Sequence, residues 1–360
     1  MAFSALSLVL IATSAPLLAE VPSYRVDPIS AYQSTTRLLG ASDAGHAVGW
    51  QESGGAIQPF VAHLAIGLQL LPLPANFVSG AALDVNTLGW VVGTVSTDGF
   101  ALDTGEPALW RPNADGSYSV TVLARLPSAF AAGQLRPTSG GQATAINDRG
   151  DLLGYSRIEG FSGGPATRFS LSEAPVNLAD LGLDATITDV NELGIAVGDG
   201  LRFDLNTGQP TALGIPGPED GQSYIFVIAS AINDNNQVVA AAHRATSLPD
   251  RWKTYVHDAV QGWHAHNPDV LPSVFFGTYD NNNGGDVAAA GGVRFAAEDQ
   301  LFGSFEELLV AEDLRWRPAI GFIDNDRRVV TVASDQVTGL TAIVQLTPVS
   351  PDTIWSNSFE

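Results

Sequence analysis

Along this chain a short apolar run ending in Ile or Val meets a polar turn, then a second short apolar run, and the arrangement keeps returning. Residues 83–95 read LDVNTLGWVVGTV, 144–156 TAINDRGDLLGYS, 188–200 TDVNELGIAVGDG and 230–242 SAINDNNQVVAAA. Three further copies are degenerate: ASDAGHAVGW at 41–50, YDNNNGGDVAAA at 279–290 and IDNDRRVVTVA at 323–333. Aligned, they place Ser42, Asn86, Asn147, Asn191, Asn233, Asn282 and Asp324 at the first turn position. Three residues later stand Gly45, Gly89, Gly150, Gly194, Asn236, Gly285 and Arg327. The units lie 42 to 49 residues apart, with one interval of 61.

Each letter has a physical reason. A side-chain oxygen at the start of a turn bonds amides ahead of it, and Gly or Asn three residues on tolerates the left-handed backbone that closes a hairpin. Apolar pairs such as Val91-Val92 suit strands covered on both faces. The small residues that follow, Gly49, Gly93, Gly154, Gly198, Ala240 and Ala289, predict a close approach between neighbouring sheets. Two more strand-like segments follow each turn. The third begins near Gln58, Pro107, Ala166, Leu201, Thr254, Val293 and Leu340; the fourth includes Leu68–Leu73 and Phe305–Leu309. Four strands per unit at this period is the pattern of propeller blades.

The ends sharpen the count. The seventh unit supplies three strands before Pro348, and a lone strand at Tyr24–Ile29 precedes the first turn. A ring needs the two ends to share a blade, so the expectation is an all-β, seven-bladed β-propeller over residues 20–348, closed by an N-terminal strand that completes the last blade. An open β-solenoid or a pair of sandwiches is the alternative, and neither accounts for the orphan strand.

The repeats resemble the extracellular HAF-repeat family. The closest copy is ATAINDRGDLLG at Ala143–Gly154, and Ala108-Leu109-Trp110 is similar to that family's aromatic strand. The resemblance spans about residues 24–347 and implies an exported bacterial β protein, without implying an activity. The end of the chain, IWSNSFE, is similar to a terminal tag of secreted Gram-negative proteins, with Ser358 in place of its usual glycine.

Composition narrows the function. The net charge of -21, from 38 acids against 17 bases, disfavours nucleic acid and anionic membrane surfaces, both of which need clustered Lys and Arg. The absence of cysteine rules out disulfides and thiol chemistry. Residues 1–19, with the apolar run FSALSLVLIATSAPLL, are expected to be a signal peptide despite lacking a basic start. Residues 349–360 are then a tail with a sorting or anchoring role. No later stretch reaches membrane-spanning length, so the protein is expected to be secreted, outside the cell, in the periplasm or at the outer surface.

No GxSxG, HExxH or P-loop is present. His264 and His266 lie two apart on a predicted strand, which would let them share a metal. No carboxylate completes a triad, so no metal site is assigned. The Asp- and Asn-rich turns lack the closing acid of a calcium loop, although weak calcium binding there stays open. No other cofactor is called for.

In a ring, all the NxxG turns share one face. The connections after the second and fourth strands share the other, where loops on a rigid scaffold carry function. That face is expected to hold Trp50, Tyr155, Arg157, Asp199, His243, Arg244, Arg251, Trp252 and Asp335, with long insertions at 94–106 and 128–141. Such groups suit a carbohydrate, peptide or protein ligand. The leading reading is a non-catalytic binding or scaffolding protein. The alternative is a secreted propeller enzyme, a polysaccharide lyase or hydrolase or a phosphoesterase, with a deep central pocket ringed by acids.

Overall fold

The computed structural model describes residues 21–32, 36–99, 104–183, 185–218, 223–244, 252–265, 280–289, 292–296 and 302–349. The expected signal peptide, most of the tail, Arg251 and His266 lie outside them. The strands form seven separate antiparallel sheets. Blade I is Arg37–Ala41, Ala47–Ser53, Ala56–His63 and Gly67–Leu70; blade II is Ser79–Val85, Val91–Ser96, Glu106–Pro112 and Tyr118–Val122. Blades III, IV, V and VI follow in the same order, with inner strands Gln134–Ile146, Asp189–Val190, Tyr224–Ile232 and Asp280–Asn281. Blade VII runs Trp316–Ile323, Val329–Asp335 and Thr341–Val349, and its fourth strand is Ser23–Tyr32 from the start of the chain. Tyr24 faces Pro348 and Val26 faces Leu346 in that pairing, so the expected closure is present.

The core sits between blades. Each of the seven junctions has its own apolar cluster. Val61 packs with Val91 and Trp110 across I and II, Leu109 with Phe169 across II and III, and Leu153 with Phe203 across III and IV. Val197 meets Val238 across IV and V, Val239 meets Val287 across V and VI, Phe295 meets Val329 across VI and VII, and Ile343 meets Phe60 across VII and I. Burial of these side chains, about 1.5–3 kcal/mol for each large one, is therefore what joins sheet to sheet.

The first turn residue does more than shape its own turn. In blades II to VI its Oδ1 accepts the backbone N–H four residues on, as expected: Trp90, Asp151, Ile195, Gln237 and Asp286 donate at 2.9 to 3.0 Å. Its Nδ2 reaches the next blade. Asn86 donates to the Asn147 carbonyl, Asn147 to Asn191, Asn191 to Asn233, Asn233 to Asn282 and Asn282 to Asp324, at 2.7 to 3.1 Å. An amide is the side chain that can accept within a blade and donate between blades at once. Where the series reaches Asp324 the donor is gone. Arg328 replaces it, binding the Asp324 carboxylate at 2.6 Å and reaching the Asp43 carbonyl of blade I at 3.4 Å.

A second belt lies outside the first. The backbone N–H of the second turn residue is accepted by the side chain at that position one blade on: Thr87 to Asp148, Asp148 to Glu192, Glu192 to Asp234, Asp234 to Asn283, Asn283 to Asn325 and Asn325 to Asp43. The third residue after the first turn position has positive φ in all seven units, including Asn236 at 61° and Arg327 at 63°.

Three expectations are corrected. The small residues on the second strand do not ease the approach of neighbouring sheets. A Cβ at Gly49, Gly93, Gly154 or Gly198 would lie 1.6 to 2.0 Å from a carbonyl of its own blade, those of Arg37, Ala81, Gln142 and Thr186. In blades I to III the carbonyl lies just before a bulge of the inner strand, as between Leu38 and Gly40 or Ala82 and Asp84. The fourth strand of blade VI is Phe302–Ser304, and Phe305–Leu308 is a helical turn under a capping box between Ser304 and Glu307. Residues 128–141 are no plain loop: Ser128–Ala131 pairs with Gln134–Pro137, a hairpin that lengthens blade III.

Candidate functional site

The seven inner strands surround a central channel, and at the turn face it opens into a cavity of about 140 Å³ to which every blade contributes. Asp84, Asp189 and Asp280 line it, each two residues before the turn Asn of blades II, IV and VI. The equivalent residues of the odd blades are Gly40, Ala145, Ala231 and Phe322. Each Asp bonds the N–H of the next residue in its own chain and an N–H of the following blade: Ile146, Ile232 and Ile323 at 2.8 to 2.9 Å. Removal from water raises all three carboxyls, Asp189 to about 6 and Asp280 to about 7, and Asp189 raises Asp84 and Asp280 further.

This cavity has the ring of acids that the enzyme alternative calls for. Its three inner carboxylates already hold two blades together. Among the described residues no group of three or more His, Asp or Glu is placed to hold a metal ion. His264 faces Val256 across the outer pair of strands of blade V.

The opposite face has different chemistry. In blade V, Phe226, His243 and Trp252 stand opposite one another on three successive strands. Phe226 stacks on His243 at 4.9 Å between ring centroids, and Trp252 meets them edge-on at 5.5 and 4.6 Å. A bulge at Ile225 turns it outward with Phe226, leaving them 49% and 42% exposed. Beneath lies a rigid support. Arg244 is buried, donates twice to the Tyr224 hydroxyl at 3.0 and 2.9 Å, and Tyr255 donates to that same oxygen at 2.6 Å.

The other expected residues are dispersed. Trp50 is half-buried in blade I under the Arg37 guanidinium, 5.8 Å from its ring centre. Tyr155 and Arg157 end the second strand of blade III, where Arg157 donates to Ser139 at 3.2 Å. Asp199 forms a tight hairpin turn with Gly200, at φ of 36° and 75°, and accepts the Thr186 N–H at 2.7 Å. Asp335 is buried and accepts the Val337 and Thr338 N–H groups of its own turn. Of the expected set, the structure brings together His243, Arg244 and Trp252. Phe226 was missed, because the bulge between Tyr224 and Phe226 that turns it outward has no signal in the sequence.

No family model matches the chain, and the curated proteins contain no match to it. Among solved structures it is similar to propeller proteins. TolB from Acinetobacter baumannii is 10% identical with a TM-score of 0.42, covering 85% of this chain and 64% of that one, so this chain spans under two thirds of TolB's length. A catalytically inactive virginiamycin B lyase from Staphylococcus aureus, with quinupristin, is 12% identical at a TM-score of 0.46, covering 91% of this chain and all of its own. YCF48 bound to D1 peptide is 12% identical at 0.42, covering 91% and 98%. The class defined by the sheets themselves is the seven-bladed β-propeller.

Proposed function

We propose that this chain is a non-catalytic binding or scaffolding propeller of the HAF-repeat kind, exported by a Gram-negative bacterium, which holds a peptide or protein partner on the face opposite its turns. One observation carries the reading: exposed Ile225 and Phe226 stand beside the half-buried rings of His243 and Trp252, an aromatic row on a buried Arg-Tyr-Tyr support. Rigid aromatic anchors give large contact area at small entropic cost. The turn face, by contrast, uses its polar groups to join blades.

The test is an array of extended peptides probed with purified protein alongside a glycan array. Peptide hits are expected to weaken at least about tenfold in Phe226→Ser and Trp252→Ala, the loss typical of an anchor. Asp148→Asn, on the turn face, is expected to bind as the parent does. Undiminished binding by both aromatic variants would refute the assigned surface. Turnover in a hydrolase and lyase screen, abolished by one carboxylate change, would refute the non-catalytic reading.

A further inference from the structure

Three elements of blade III meet around a cleft of about 380 Å³. The hairpin Ser128–Ala131 with Gln134–Pro137 brings Phe130 to one wall, where its ring is 75% exposed. The loop after the second strand brings Phe161 and Ser162. That loop is held tightly: the Phe161 N–H bonds the Ile158 carbonyl at 3.1 Å, and a Cβ at Gly164 would lie 1.9 Å from the Ser156 carbonyl oxygen, so only glycine lets the chain pass there. The outer strand brings Asn177. Its Oδ1 caps the 3-10 turn Leu178–Leu181 by accepting the Ala179 N–H at 3.1 Å, and that turn contributes Asp180 to the cleft. Phe161 is 39% exposed, with the Arg136 guanidinium over its ring at 5.4 Å. Among the described residues, the Asp180 carboxylate, the Asn177 Nδ2 and the Ser162 hydroxyl have no hydrogen-bond partner.

Two exposed aromatic rings beside three unengaged polar groups narrow the occupant by elimination. An apolar ligand would strip water from Asp180, Asn177 and Ser162 and return no hydrogen bond, at about 1–3 kcal/mol for each group. An anion would meet the Asp180 carboxylate in the wall, with Glu159 nearby, its N–H bonded to the Pro137 carbonyl of the hairpin. A cation would meet Arg136 over the Phe161 ring. What suits both kinds of lining is an uncharged ring with an apolar C–H face and a rim of hydroxyls. The geometry points to a subsite for a neutral oligosaccharide. A sugar ring lies with its C–H face against Phe130 and Phe161, its hydroxyls donate to the Asp180 carboxylate, and one of them accepts from the Asn177 Nδ2. The charged acceptor makes the stronger of these bonds. The site goes beyond the peptide surface of blade V, and it stands whether or not that aromatic row binds anything.

The net charge of -21 drives the full chain through a native gel, so binding is read as its retardation in gels cast with hydroxyethyl cellulose, arabinoxylan or galactomannan, and in one cast with polygalacturonate. At least one neutral polymer is expected to retard it, more than polygalacturonate does, and added salt is expected to leave that retardation unmoved. Phe130→Ser and Asp180→Ala are each expected to lower the affinity at least about fivefold, while Phe226→Ser in blade V leaves it unchanged. Both replaced side chains of blade III are exposed, so unaltered thermal melts of these two variants separate lost binding from lost folding. Unretarded passage through all three neutral gels overturns the proposal. So does equal retardation by polygalacturonate, or undiminished retardation of both blade III variants. Loss in Phe226→Ser alone also overturns it, and assigns the sugar to blade V.

Discussion

Replacing Asn191 by Asp changes one atom and no volume, so it isolates the ladder that links the blades. Asn191 is 4% exposed. Its Nδ2 donates to the Asn233 carbonyl at 3.0 Å and to Asn236 Oδ1 at 3.1 Å, while its Oδ1 accepts the Leu193 and Ile195 N–H groups. Asn191→Asp keeps the acceptor and turns the donor into an oxygen facing two oxygens. Two neutral hydrogen bonds at about 1 kcal/mol each are lost, and the buried acceptors left facing a carboxylate add about 1–2 kcal/mol, or about 3–4 kcal/mol together. For a ring of roughly 330 residues, unfolding entropy near 2.1 cal/mol/K per residue comes to about 0.7 kcal/mol/K, which makes the fall in melting temperature about 4–6 °C. The new carboxyl should titrate above its unfolded value, so stability is present below that value and lost as pH rises through the folded one. Calorimetric melts at pH 4 and pH 7 should therefore show the deficit shrinking in acid. Asn113→Asp, at an exposed turn where the amide meets only Ser117, is the control. The reasoning is refuted if Asn191→Asp melts within about 1 °C of the parent at pH 7, or if the control falls as far. Blade VII supplies a rescue: Asp324 is tolerated there because Arg328 stands four residues on, so Ile195→Arg should recover part of the loss.

The channel carboxyls give a second outcome. With Asp189 raised to about 6 and Asp280 to about 7, the folded state holds protons that the unfolded chain releases near pH 4, so stability should decline as pH rises from about 4 to 7, by about 3 kcal/mol for Asp189 and about 4 kcal/mol for Asp280; melts of Asp280→Asn should show a shallower slope. Tyr24 is fully buried in the closing strand and its carbonyl accepts the Val310 N–H of the neighbouring blade at 2.9 Å. Tyr24→Ala should cost about 3–5 kcal/mol of stability, and an unchanged melt would mean that Ser23–Tyr32 contributes nothing to ring closure.

The blades were legible because each one writes its own turn. The turn residue, the left-handed position three later and the apolar pair are local requirements, so even Asp324 with Arg327 and Arg328 keeps enough of them to be aligned. The orphan strand at Tyr24 followed from counting. What links the blades was written in the same letters but could not be read from one copy, since the Nδ2 of Asn147 has a partner 44 residues away. The alternation of Asp84, Asp189 and Asp280 with small or apolar residues at the same offset was visible in the alignment and passed over, because a carboxyl at a buried position has meaning only once its two N–H partners are known. The hairpin at 128–137 was read as loop because Ala132-Gly133 closes it in place of the Asn and Asp signals of the other turns. The helical turn after Ser304 was hidden by apolar residues that fit either structure, although Ser304 and Glu307 had the spacing of a cap. For the site, His243 and Trp252 were reachable as aromatic residues beyond the second strand. Phe226 gains its position from a bulge, and bulges leave no mark in the pattern of a single strand.

The junction between blades VII and I shows how the fold assigns work to its two faces. From blade II to blade VII the inner belt is made of neutral amides, each buried and each needing a partner at both ends, so no group is left over for a ligand. At Asp324 and Ser42 the amide is absent and ions take its place: Arg328 binds Asp324 and reaches blade I, while Asn325 bonds Asp43 through both its backbone and its side chain. An ionic junction is more exposed to solvent and salt than an amide one, and it falls where the two ends of the chain are brought together. The apolar core is continuous across it through Ile343 and Phe60, so the ring is closed by packing and tuned by charge. With the turn face committed to holding seven sheets in register, variation without structural cost is confined to the far face. There a bulge turns out Ile225 and Phe226, and an inserted hairpin turns out Phe130 and Leu135, and neither disturbs the belts.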